Sequence, residues 1–256
     1  MKIDEAWITE TLINHGRQAF EKPKRAFDFT NDAEANALMD NIDQYPHAFV
    51  LACAMERRMK SESVWIIPNE FKKQLGGDFK IEKLASLSLD DIKRIMTGPP
   101  PLHRYPELMS QVFHSAVQRI ITEYGKDASR IWENNPSSAV VIYRFYEFWG
   151  VGPKIANLAA NSLLRDYKKP LKDHCFLDVS ADVHVCRVFG RLGLTKKGTT
   201  PEDVIFRART INPEYPGLID PPCWEIGRNW CKARELLCGS CYMHEKCPTA
   251  SAQAST

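Results

Sequence analysis

The sequence predicts an all-α protein, and three features carry that reading. Apolar residues recur at helical spacing in most long segments, prolines and glycines mark the breaks between them, and only one short stretch, "SVWIIP", has the look of a strand. Pro68 closes that stretch at once, so no sheet of consequence is expected. Along the chain, "AFVLACAMERRM" reads as a helix that starts buried and ends basic. "TGPPPLHRYP", residues 97–106, reads as a loop, because four prolines fix φ and remove donors. "LMSQVFHSAVQRIITEY" places Met109, Val112, Phe113, Ala116, Val117, Ile120, Ile121 and Tyr124 on one stripe.

"SSAVVIYRFYEFW" is apolar almost all round and reads as a buried helix. "PKIANLAANSLLRDY" opens with Pro153, welcome at a first helical position, and carries a stripe of Ile155, Leu158, Ala159, Ser162 and Leu163. "ADVHVCRVFGRLGL" places Val185, Val188, Phe189 and Leu192 together. "LIDPPC" reads as a further break, and the small, polar end "PTASAQAST" as a disordered tail over 251–256. No internal repeat is seen.

Composition bounds the function only loosely. A chain of 256 residues is long enough for one large domain or two ordinary ones. It has no apolar run of membrane-spanning length and no signal-peptide layout at its start, so it reads as a cytoplasmic, nucleoid-associated protein. A net charge of +2 neither requires nor excludes nucleic acid. Structural disulfides are not expected in a reducing compartment. Cys53 and Cys186 sit in apolar surroundings and read as buried hydrophobes; Cys175 and Cys223 have no cysteine neighbour at ligand spacing and receive no role.

The remaining cysteines form a pattern. Cys231, Cys238, Cys241 and Cys247 are spaced C-x6-C-x2-C-x5-C. Four thiolates on a compact loop suit either an iron–sulfur cluster or tetrahedral zinc. Zinc sites favour two short C-x2-C knuckles, and here there is one, so the spacing leans toward the larger centre.

A second motif is "FYEFWGVGPKIANLAAN", which reads helix, Gly-Val-Gly, helix. Gly150, Val151 and Gly152 make a tight turn, and the N–H groups opening the next helix form an anion site suited to a backbone phosphate. Such a contact positions DNA without reading its sequence.

With both motifs in view, "CWEIGRNWCKARELLCGSCYMHEKC" resembles the C-terminal iron–sulfur loop of the endonuclease III family of DNA glycosylases, including a Gly-Arg pair before the first ligand (Gly227-Arg228). The Gly-Val-Gly-x-Lys turn is similar to that family's helix–hairpin–helix, and "DVSADVHVCRVFGRLG" to its Val-Asp-Thr-His-x-x-Arg-Val segment. The resemblance implies a two-domain helix–hairpin–helix DNA glycosylase fold. Residues 29–177 would form a helical barrel; residues 1–28 and 178–250 would hold a [4Fe–4S] cluster on the four cysteines. Lys154 aligns with the family's catalytic lysine and Asp182 with its catalytic aspartate; His184, Arg187 and Val188 match as well. Double-stranded DNA with a damaged or mismatched base or an abasic site would lie across a cleft, bound by a monomer.

That resemblance implies a particular chemistry. A neutral lysine amine attacks C1′ of a flipped nucleotide, the base leaves, and the resulting Schiff base allows β-elimination. The lysine should then have its pKa lowered by burial or by a positive field, which the start of a helix supplies. Asp182 would accept a proton or stabilise charge at the sugar, and would also cap its helix. Leu102 and His103 stand in the family's intercalating loop, and Met55 is nearest the position of a gap-filling Gln. Arg57, Arg58 and Lys60 suit phosphates or an ordinary solvated helix end, and Arg187 is a further DNA-binding candidate. The missing Ser-Ala-Gln-x-Thr-Asp run and Trp149 before the hairpin depart from the family and put its damaged-pyrimidine substrate in doubt. Two other readings stay open: a glycosylase of the same fold specific for a mismatched or modified base, and a non-catalytic module that binds DNA structure.

Overall fold

The computed structural model describes residues 4–23, 27–195 and 199–254. Among these the secondary structure is helical, and the one β-bridge, Cys231 to Leu236, is isolated. Two compact units divide the chain: residues 24–171, and residues 1–23 with 172–256.

The 24–171 unit is built around helix Pro106–Tyr124, whose predicted stripe is buried save for Ile121 at its edge. Helix Pro46–Ala54 is buried along its whole length. Its Phe49 sits among Trp65, Trp132, Phe145 and Tyr167, with ring centroids 5.1 to 6.2 Å away. Phe71 stacks on Phe113 at 4.2 Å. Such rings bury large apolar areas and favour edge-on and offset geometries, so they lock one packing. Helix Ser138–Tyr146 is not buried all round: Val141 and Phe145 face the core, while Tyr143 and Tyr146 are exposed. An even spread of apolar residues hid which face is outward.

One boundary differs from the sequence reading. The helix that opens at Pro46 ends at Ala54, so the basic stretch after Met55 is a loop, with Arg58 at φ 50°. In the charged stretch after Arg165, Tyr167 and Leu171 are buried.

In the other unit, helix Glu5–Glu21 contributes Ile8 and Leu12 to a core with Val185, Val188, Phe189 and Ile226. Helices Val183–Arg191 and Asp220–Asn229 pack closely. A Cβ on Gly227 would stand 2.8 Å from the Cβ of His184, so only glycine allows this approach. "LIDPPC" does not break the chain: Pro221 and Pro222 occupy the first turn of helix Asp220–Asn229, where their missing N–H groups cost nothing. The end is not disordered as expected. Pro248–Ala254 is a helix, and residues 255–256 lie outside those described.

Candidate functional site

The hairpin lies in the 24–171 unit. Helix Ser138–Tyr146 stops, and the chain turns through Gly150 at φ 93°, a left-handed value that favours glycine. A Cβ there would also stand 3.2 Å from Val112 Cγ2. Val151 is buried and its N–H donates to the Phe148 carbonyl at 3.0 Å, which closes the turn. Gly152 caps helix Pro153–Arg165 in extended backbone, and no heavy atom lies within 4 Å of a Cβ built on it. The second glycine therefore leaves the backbone open toward solvent, where the first turn's N–H groups have no intrahelical acceptor.

Lys154 is the second residue of that helix and is exposed. The burial expected of it is not found. Its charge instead reaches Glu56, a residue that the sequence reading passed over inside a basic run. Burial pushes the Glu56 carboxyl above its usual range, while bonds from Ser61, the Lys154 charge and a bond from Trp65 pull the other way. The Ser61 hydroxyl and the Trp65 Nε1–H, the latter at 3.0 Å, both donate to this carboxylate.

The candidate wedge residues divide. Leu102 is half-buried, with its N–H donating to the Met96 carbonyl at 3.0 Å. Met55 and His103 do not project as wedges: they are 0% and 2% exposed. His103 packs on the backbone of Met55 and Arg57, its Nδ1 accepts the Tyr105 N–H at 3.0 Å, and burial lowers its pKa. The two loops meet again where the Arg104 N–H points at Met59 Sδ, 3.0 Å away. Arg57 is exposed, as are Arg58 and Lys60. Trp149, beside the hairpin, is 50% exposed.

The second unit holds the other candidates. Asp182 is the N-cap of helix Val183–Arg191, and its Oδ1 accepts the N–H groups of His184 at 2.7 Å and Val185 at 2.8 Å. Arg187 does not reach outward for DNA. Its guanidinium donates to the Cys231 carbonyl at 2.7 Å, the Gly227 carbonyl at 2.8 Å and the Val183 carbonyl at 3.1 Å, with His184 Nδ1 at 2.9 Å. One turn on, Arg191 donates to the Lys232 carbonyl at 2.6 Å and lies 3.3 Å from Cys231 Sγ. A planar fork with five donors suits such multiple capture.

Cys231, Cys238, Cys241 and Cys247 border one cavity, and no disulfide joins them. Burial is the first cause that raises the Cys238 and Cys241 thiols, the latter to about 11, and the neighbouring cysteines raise them further. Four sulfurs around one apolar pocket form a donor set for a cationic centre. Among the described residues, however, no three Cys, His, Asp or Glu side chains converge as a single metal ion requires. One zinc ion would hold its sulfurs about 2.3 Å from a common point. The four thiols share the lining of one cavity, which makes them the candidate ligands of a cysteine-bound centre. As expected, Cys53 is buried; Cys186 is only partly so, Cys175 is exposed, and Cys223 is buried.

No protein-family model matches the chain. Endonuclease III of Synechocystis sp. is 35% identical over 111 residues, a stretch covering 39% of this chain and 43% of that protein, so less than half of either. Among solved structures, a trapped endonuclease III–DNA covalent intermediate superposes with a TM-score of 0.65 at 14% identity, covering 99% of this chain and 100% of that one. A non-covalent endonuclease III–DNA complex gives 0.65 at 15% identity, with both chains covered in full (100%). A thermostable thymine-DNA glycosylase gives 0.61 at 13% identity, covering 95% and 97%. The chain is thus similar over part of its sequence to endonuclease III and shares its fold with the endonuclease III structures along its whole length.

Proposed function

We propose that the protein is a DNA glycosylase with AP lyase activity, in which Lys154 forms a Schiff base with C1′ of a flipped nucleotide. The observation that carries the reading is the exposed amine of Lys154, two residues after a Gly-Val-Gly turn whose second glycine opens onto solvent. A helix start beside that amine favours an anionic neighbour, and a DNA phosphate supplies one. The amine nitrogen bonds to C1′ and the base leaves; the imine acidifies C2′, and β-elimination cleaves the strand. Asp182 is assigned the carboxylate that accepts a proton or steadies charge at the sugar. Its cap bonds, both on Oδ1, fix its orientation at the head of its helix.

Cys231, Cys238, Cys241 and Cys247 would hold the [4Fe–4S] cluster, which when bound ties the C-terminal loop together and plays no redox part in the elimination. Of the phosphate-binding candidates, Gly150, Val151, Gly152 and Arg57 stay in this reading, with Leu102 as the gap-filling residue. The buried Met55, standing where the family carries a Gln, and the exposed Trp149 favour a modified or mismatched base over the family's damaged pyrimidines.

Borohydride trapping on a duplex with an abasic site tests the proposal. Wild-type protein should give a covalent adduct and Lys154→Ala none. Equal trapping by Lys154→Ala overturns the assignment. A screen of duplexes bearing different lesions then identifies the base.

A further inference from the structure

The amine of Lys154 must lose a proton before it attacks, and its exposure does nothing to remove one. A largely buried carboxylate in the same unit feels the charge of that amine. Helix Pro46–Ala54 packs against helix Pro153–Arg165, and its final carbonyl, on Ala54, lies 3.8 Å from a Cβ built on Gly150 of the hairpin. Glu56 follows two residues later. Its side chain is held from two directions, by the Ser61 hydroxyl and the Trp65 indole N–H, and it feels the charge of Lys154. Trp65 is itself buried, so that donor is fixed by the core.

We infer that Glu56 is the proton acceptor of the lyase: a carboxylate, anchored by Ser61 and Trp65, that takes the ammonium proton of Lys154 and later gives it to the departing oxygen. The inference rests on the lyase reading given above.

The protons balance without any other reagent. Lys154–NH3+ and Glu56–COO− become Lys154–NH2 and Glu56–COOH, with no change in net charge. At an abasic aldehyde the nitrogen lone pair bonds to C1′. The aldehyde oxygen then leaves as water, carrying one proton from the amine and the one from Glu56. The product is a protonated imine and a Glu56 carboxylate. Burial suits Glu56 to this exchange, because a carboxyl whose charged form is poorly solvated accepts a proton more readily than an exposed one. DNA that covers the hairpin excludes water and further favours the neutral pair over the ion pair. The other ionisable group acting on Glu56 is Glu62, which raises its pKa; Glu56 in turn adds to the burial that holds the Cys53 thiol protonated.

The experiment is single-turnover borohydride trapping on an abasic-site duplex as a function of pH, for wild type, Glu56→Gln, Glu56→Asp and Ser61→Ala, each at full length. Glu56→Gln should trap at least tenfold more slowly at neutral pH, within the range typical of a lost general base, and should recover as pH rises. Glu56→Asp should restore part of the rate. Affinity for a duplex carrying a reduced abasic analogue should stay within about twofold of wild type. Ser61→Ala removes a bond to the charged carboxylate and should move the acid limb of the profile to higher pH. It also serves as the test if Glu56→Gln does not fold. A wild-type-like rate and profile for Glu56→Gln, or an unmoved acid limb for Ser61→Ala, overturns the inference and leaves the lyase reading intact. Wild-type protein that never traps overturns both.

Discussion

The hairpin and the cysteine loop are read in opposite ways. The loop declares itself through spacing: four thiols in a short run can be found by counting, whatever surrounds them. The hairpin declares itself through contact. Gly150 is needed because of its positive φ and because Val112 lies against it, whereas Gly152 is surrounded by open space. The loop is held by arginines reaching from helix Val183–Arg191, and the hairpin by a buried valine and a buried helix behind it. Ligand sites are thus visible as patterns of residue type. The proposed nucleophile is legible only through what acts on it, and Glu56, which feels its charge, was hidden in a run of basic residues.

The contrast can be broken at its strongest point first. Lys154→Ala should reduce borohydride trapping by about a thousandfold or more while leaving iron content unchanged, measured by gel and by metal analysis. If iron and trapping fall together, the two regions are not separate functions. Cys241→Ser should do the reverse to the metal. Absorbance near 400 nm should fall to background, and several kcal/mol of stability should be lost with the cluster, seen as a lowered thermal midpoint.

Smaller effects sharpen the comparison within each region. Gly227→Ala forces a methyl against His184 and should destabilise the protein by about 1–3 kcal/mol in denaturant titrations. Gly150→Ala should cost about 1–2 kcal/mol, from left-handed backbone and the crowding of Val112. Gly152→Ser is the mildest. Serine is a good N-cap and meets open space, so stability should change by about 0.5 kcal/mol or less, yet affinity for duplex DNA should fall because the side chain occupies the path to the backbone. A Gly152→Ser protein that binds DNA as wild type does would remove the phosphate contact from the proposed function.

Much of this fold was legible. The stripe from Met109 to Tyr124, the start at Pro153 and the helix capped by Asp182 follow from period and punctuation, and appear where expected. What failed depended on packing. Met55 and His103 look like surface residues in a basic or proline-rich stretch, but the two loops fold against each other and cover both. Arg187 has the type of a phosphate binder and spends its donors on carbonyls, because the cysteine loop presents them at the right distance. Helix Ser138–Tyr146 hid its outward face, since tyrosine suits either side of a boundary.

The short terminal helix has a consequence for handling the protein. Thr249 Oγ1 donates to the Arg191 carbonyl at 2.7 Å, and Thr249 and Ala250 form part of the wall around the four thiols. A polypeptide cut just after Cys247 would keep all four thiols and lose a panel of their shelter, so a cluster held there, as proposed, should be stripped by oxygen and chelators sooner than in the intact protein.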